Sequence, residues 1–394
     1  MSYRGLVLSP EAAAFVAGGG RDVPLALQRS ADGFEPGQPL RLLDPPGQAL
    51  GLALADPENE RLRLLARAGE PFTALDAAFF ASRVESALAL RRGLGLAGQR
   101  AAYRLLNGAG DGVPGFTADV FGAWAVLHVY SRALMAFGRL IAEALLERDG
   151  SRGVVLKLRS RGAASQGRLR QEVVGEEPPP RLIVEECGVP FEVHLTRGLN
   201  TGLFTDMREQ RQRLARLAAG RAVLNGFSYT GTLSVAAARG GAASVTSVDL
   251  SSGVQGWARD NFRLSGLDPD AERFRFEVDD VARFLARAAR EGRRYDLALL
   301  DPPTFSAARG APFALERDYP DMIAGAAALL APGGLMWLAS NARGLELVAL
   351  AQEALRQAGR ETALLETGGL PPDHPTLPAQ PEDRYLQVCL VRVG

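Results

Sequence analysis

Cysteine is nearly absent: Cys187 and Cys389 are the only two among 394 residues. Each lies in a strand-like apolar run, so the sequence supports neither a disulfide framework nor a zinc or other metal site, and both thiols are expected to be buried and reduced. Lysine is rarer still. Lys157 stands alone, and the remaining cationic charge is arginine, a pattern that reads as genomic base composition rather than function. No apolar run reaches the ~18 residues that suggest a membrane span. The N-terminus carries no charged-then-apolar signal pattern, so a cytosolic protein with no membrane partner is expected. The formal net charge is zero, which excludes a broadly basic surface; any nucleic-acid contact must come from a local patch.

What is present is ordinary globular composition over a length that implies two or three domains. The Gly- and Pro-rich first segment, residues 1–72, alternates in short runs and reads as a small β domain. A linker helix is predicted over 76–96, with Phe79, Phe80, Val84, Ala87 and Leu88 on one face and Arg83, Glu85, Arg91 and Arg92 on the other. Strands at 103–106, 116–120 and 124–129, a helix at 134–148 and a strand at 154–158 make residues 73–198 an α+β middle domain. Beyond residue 199 strands and helices alternate strictly, and the strands are apolar. That pattern is α/β, a doubly wound parallel sheet whose ligands bind at the carboxyl ends of its strands.

Three features fall at those ends. Asn225-Gly226-Phe227-Ser228-Tyr229-Thr230-Gly231 is a strand-to-helix turn where glycine permits close backbone approach. Asp249, about 20 residues later, suits ribose hydroxyls. Asp279-Asp280 follows the third strand and suits an exocyclic adenine amine; singly, Asp249 or Asp279 would serve equally well as a helix N-cap or a solvated acid. The turn lacks the Gly-x-Gly-x-x-Gly spacing that holds a pyrophosphate. The expected ligand is therefore S-adenosylmethionine rather than NAD or ATP. At the next strand end, Asp301-Pro302-Pro303-Thr304-Phe305 offers a carboxylate, a rigid backbone and an aromatic face to a planar base.

Together with Tyr103-Arg104-Leu105-Leu106-Asn107-Gly108, Asp111-Gly112-Val113-Pro114-Gly115, Asp119, Thr201-Gly202-Leu203-Phe204-Thr205-Asp206-Met207-Arg208, Asp373-His374-Pro375 and Arg384-Tyr385, these motifs resemble the class I S-adenosylmethionine-dependent ribosomal RNA large subunit methyltransferases. The resemblance implies a PUA-like domain (1–72), a middle domain (73–198), and a Rossmann-like catalytic domain (199–394). It implies 23S ribosomal RNA as partner, leaves room for a homodimer, and adds Thr201, Phe204, Asp206, Arg208 and Asn261 to the cofactor residues. Alternatively, Asp206 and Arg208 form a local ion pair. The N-terminal segment keeps Glu35-Pro36-Gly37 but lacks the family's Gly-x-Pro-Trp-like stretch.

The methylated atom follows from one further position. Carbon C5 of a pyrimidine needs prior attack by a cysteine thiolate, and members of that type look like Ser-Cys-Ser after the strand following Asp-Pro-Pro. This chain has Ser340-Asn341 there, which resembles the guanine-N7 branch; C5-cytosine methylation, or a small-molecule or protein substrate, is the alternative. Asn341 either contacts a base edge or caps the helix predicted at 345–358. Arg152, Lys157, Arg159, Arg161, Arg168 and Arg170 form an acid-free basic segment, read as a phosphate-tracking hairpin or as a solvated loop balanced by Glu172, Glu176 and Glu177. His128 is expected in the core and His374 as an ordering element.

Overall fold

A computed structural model describes residues 3–28, 33–96, 98, 100–148, 150–159, 171–303, 305–306 and 313–394. The chain forms two compact units: Met1–Glu185, Val193–Thr201 and Pro372–Asp383 make the first, and Glu186–Glu192, Gly202–Pro371 and Arg384–Gly394 the second. No described helix is long and apolar enough to cross a membrane.

The first unit holds two five-stranded sheets. The N-terminal one runs in the order Arg4–Val7, Pro39–Leu43, Ala49–Asp56, Arg61–Arg67, Asp22–Pro24. It buries Leu40, Leu42, Ala53, Leu62 and Leu64. Against that core lies the helix Pro10–Ala17, which the strand-like reading of the segment missed although Ser9 caps it and Pro10 opens it. The second sheet runs Gln171–Gly175, Gly153–Leu158, Trp124–Val129, Phe116–Phe121, Ala102–Asn107.

The linker helix is Ala77–Gly93, started by the Asp76 carboxylate accepting from the Phe79 N–H at 3.0 Å. Its apolar stripe is buried as the spacing predicts, but Arg91 is buried as well. Arg91 donates both terminal nitrogens to Asp111, at 2.6 and 2.8 Å, and reaches the Asp373 carbonyl at 2.7 Å. A charge so deeply placed persists because a bidentate partner meets it. The neighbouring motif closes on the same C-terminal segment. The Arg104 N–H donates to the Asp373 carboxylate at 3.0 Å, and the Asn107 amide donates to the Pro375 carbonyl at 3.0 Å. His374 is buried with its Nδ1 3.3 Å from Asp373. These motif residues thus bind one another.

The second unit is a seven-stranded sheet ordered Phe274–Val278, Ser244–Asp249, Ala222–Gly226, Tyr295–Leu300, Leu330–Ser340, Gln387–Val393, Thr362–Gly368. The first five of these are parallel neighbours, and Gln387–Val393 runs antiparallel to both of its neighbours. Strand order therefore reverses between Ala222–Gly226 and Tyr295–Leu300, the point at which such sheets open a crevice. The two cysteines part company here. Cys389 is buried in the last strand, as expected, whereas Cys187 is exposed. Cys187 and Gly188 have φ of +51° and +77° and connect Leu182–Glu186 to Val189–Val193, so a two-residue turn with both residues left-handed lifts the thiol out of the strand.

Candidate active site

The turn after the first parallel strand is wound tightly. Phe227 and Tyr229 adopt φ of +62° and +47°, uncommon for side chains of this size and characteristic of functional turns. The conformation is held from several directions. The Ser228 N–H donates to the Val248 carbonyl at 2.9 Å. The Thr230 hydroxyl donates to the Gly202 carbonyl at 2.6 Å, and the Asn261 amide donates to the Thr230 carbonyl at 2.8 Å. Two positions favour glycine. A Cβ on Gly226 would stand 2.8 Å from the Leu300 side chain, and on Gly231, at φ +75°, 2.8 Å from that of Ala258.

Among the expected cofactor residues, Asn225, Thr230 and Asn261 are fully buried. The Asn225 amide donates to the Ser234 hydroxyl at 2.9 Å. Asn261 also accepts from the Glu192 N–H at 2.9 Å, so both ends of its amide hold backbone. Thr230 and Asn261 thus brace the turn, while the buried Asn225 Oδ1 accepts no hydrogen bond among the described residues. Asp249 accepts the Tyr229 N–H at 3.0 Å and the Ser251 N–H at 3.0 Å, which fixes its carboxylate while leaving further lone pairs for hydroxyl donors. Asp280 accepts from the Arg283 N–H at 3.1 Å and caps the helix Val281–Arg290. Asp279 pairs with Arg283 and Arg287 at 3.1 and 3.2 Å. Leu250 and Val278, half-exposed beside these acids, are apolar surfaces that the motif reading passed over.

Phe204 is 43% exposed, and its ring lies 5.5 Å from that of Tyr229, which lies 6.4 Å from Trp257. Burial above all pushes the Tyr229 hydroxyl up to about 12, so this aromatic row stays uncharged. Trp257 carried no motif signal. Thr201 falls in the first unit, its carbonyl accepting the His194 N–H at 2.9 Å. Arg208 is buried at the start of the helix Arg208–Leu217. Asp206 accepts a hydrogen bond from the Tyr385 hydroxyl at 2.8 Å. Its charge also acts on Asp301, whose carboxyl is pushed up to about 7 by burial first and by Asp206 second.

Pro302 is buried and Pro303 exposed. The backbone of Phe305 pairs with Ala314; its side chain and Thr304 lie outside the described residues. Ser340 is buried and accepts from the Ala342 N–H at 3.1 Å, leaving Asn341 exposed. The helix that follows is Leu347–Gln357 with Glu346 at its N-cap, so Asn341 is not the cap.

The basic segment departs from the expectation of a cationic face. Gly153–Leu158 is a central strand, parallel to Trp124–Val129 on one side and antiparallel to Gln171–Gly175 on the other, and is buried throughout. Lys157 is therefore buried, donating to the Gly198 carbonyl at 2.9 Å, and burial lowers its ammonium to about 8. Arg159 donates to His128 Nδ1 at 3.1 Å and to the Leu199 carbonyl at 3.1 Å. Arg152 pairs with Glu176 and lies over the Trp124 ring, which matches the balanced-loop alternative. Arg161, Arg168 and Arg170 lie outside the described residues.

The strand ends thus present a fixed carboxylate, an aromatic row and a second carboxyl that burial keeps reluctant to ionise. A ribose, an adenine and a sulfonium cation suit that set, since a cation beside Asp206 and Asp301 relieves their mutual repulsion. S-adenosylmethionine supplies such a cation and the transferable methyl group. Among the described residues no His, Cys, Asp or Glu cluster could hold a metal ion.

Comparison with known proteins agrees with this geometry. A Ribosomal RNA large subunit methyltransferase I of Erwinia tasmaniensis is 33% identical over 381 residues, with 93% of each chain covered. A Ribosomal RNA large subunit methyltransferase of Deinococcus radiodurans is 34% identical over 372 residues, covering 91% of this chain and 90% of that one. The solved structure of SMU.776 complexed with SAH superposes with a TM-score of 0.88 at 26% identity, covering 99% of this chain and 100% of that chain. The sequence profile of one family matches residues 134–384, and the chain accordingly belongs to the S-adenosylmethionine-dependent methyltransferases.

Proposed function

We propose that the protein methylates a base of 23S ribosomal RNA, at guanine N7, by direct attack of the ring nitrogen on the donor methyl group. The names of its relatives support large-subunit RNA as substrate. The observation that carries the choice of atom is the pair Ser340-Asn341 at the end of the strand after Asp301, where a C5-pyrimidine enzyme would need a thiolate. Guanine N7 has an in-plane lone pair and needs orientation and desolvation only. In this reading Phe305 stacks on the base, exposed Asn341 meets a base edge, and Asp301 accepts from the imino or amino group. Asp249 binds the ribose of the cofactor, Asp279 lies near adenine, and Phe204 and Tyr229 flank the bound molecule.

Neither cysteine is equipped to replace the missing nucleophile. Burial pushes the Cys389 thiol up to about 11, and partial desolvation, with the nearby Glu186 charge, raises that of the otherwise exposed Cys187. Cys187→Ser and Cys389→Ser are expected to keep turnover, with a modest loss of stability for the second from placing a hydroxyl in an apolar strand. RNA containing 5-fluorocytidine should not trap the enzyme. A covalent adduct on denaturing gels, or inactivity of either variant while still folded, would overturn the direct-attack reading.

A further inference from the structure

The Tyr319 hydroxyl ties together the two strand ends from which the proposed base-contacting residues project. Tyr319 lies on the helix Leu315–Ala328 and is wholly buried. Its Oη lies 2.9 Å from the Leu300 carbonyl oxygen and 3.1 Å from that of Ala339. Leu300 immediately precedes Asp301, and Ala339 immediately precedes Ser340-Asn341. One hydroxyl thus shares its proton between the last carbonyl of Tyr295–Leu300 and the penultimate carbonyl of the adjacent parallel strand Leu330–Ser340.

Those carbonyls lie where the two strands part: their paired register ends at Leu300 with Leu338, while Ala339 and Ser340 stay paired with Val388 and Gln387 on the other side. Beyond Leu300 and Leu338 no ladder pairing among the described residues joins the two strand ends, so the hydroxyl bridges them, and a buried carbonyl such as that of Leu300 left without a donor would be costly. A phenylalanine would fill the same apolar space, so the hydroxyl is not required for packing. Burial and the neighbouring Asp301 raise the phenol well above its usual range, which keeps it a donor at every pH of interest.

We propose that Tyr319 is a positioning residue for methyl transfer, its hydroxyl fixing the separation and orientation of Asp301 relative to Asn341 across the base. The inference rests on the roles given above to those two residues. Removing the hydroxyl frees the strand ends to shift against each other while the cofactor turn after Gly226, on the neighbouring strand, keeps its own supports. Small misplacements of orienting groups act on turnover more than on binding.

The test measures kcat and KM for S-adenosylmethionine on ribosomal RNA from cells lacking the protein, well below the melting temperature. Tyr319→Phe is expected to lower kcat about tenfold or more and to leave KM within about twofold, as misplacement of orienting groups predicts. Asp301→Asn and Asn341→Ala should each cost less on the Tyr319→Phe background than on the parent, because the geometry they serve is already lost. Met322→Ala on the same helix controls for loss of stability: it should lower the melting temperature without that split. Calorimetric binding of S-adenosylhomocysteine shows that each variant is folded. Wild-type kcat for Tyr319→Phe, equal changes in kcat and KM, or costs that multiply independently would overturn the proposal while leaving the site assignment standing. Wild-type turnover for both Asp301→Asn and Asn341→Ala would instead remove the site assignment, and this inference with it.

Discussion

Asp301→Asn is expected to turn over about a hundredfold more slowly than the parent and yet to be the more stable protein above neutral pH. Both effects come from the same placement. Burial, and then the charge of Asp206, raise the Asp301 carboxyl from 3.8 to about 7. The folded chain therefore holds this proton more tightly than the unfolded chain does. The contribution of the neutral form is complete below pH 3.8 and is lost as pH rises through about 7, an effect that linkage bounds at up to about 4 kcal/mol. Asparagine cannot ionise. The variant should melt with the parent at pH 4 and above it at pH 8, in the absence of cofactor. Turnover should fall because an amide cannot accept from guanine as a carboxylate does. Melting curves that keep the same offset at both pH values would contradict the buried-carboxyl account.

Asp249→Ala is expected to weaken cofactor binding by about 1.5–3 kcal/mol, the usual worth of hydrogen bonds to a charged group. Two losses combine. Any ribose hydroxyl loses its acceptor, and the N–H groups of Tyr229 and Ser251 lose the carboxylate that holds them. Since Tyr229 sits at φ +47°, the second loss relaxes a strained turn, and Asp249→Asn should recover part of the affinity. Calorimetry on S-adenosylhomocysteine measures both variants. Unchanged affinity in Asp249→Ala would remove Asp249 from the site.

The parallel sheet was legible because its strands are short apolar runs at regular spacing, alternating with helices beyond residue 199. Strand ends were legible for the same reason, which is why Asp249, Asp279 and Asp301 stood out. What escaped was whatever depends on partners distant in the chain. Lys157 looked like a surface cation because its segment is free of acids, but its strand is buried at every residue and its acceptor is the Gly198 carbonyl, 41 residues on. Asn261 looked like a ligand group, but the Glu192 N–H and the Thr230 carbonyl claim both ends of its amide. Tyr385 meets Asp206 across 179 residues of sequence, and Tyr319 joins two strand ends that no local pattern connects. Cys187 was misjudged for a local reason: Cys187-Gly188 is a turn, and only the glycine announced it.

The central claim, methylation of guanine N7 in 23S ribosomal RNA, is tested most directly by mass spectrometry of nucleosides from purified 23S RNA of a deletion strain, before and after complementation. The account predicts a loss of 7-methylguanosine that the parent gene restores and Asp301→Asn does not. Unchanged 7-methylguanosine together with a loss of 5-methylcytidine would contradict it.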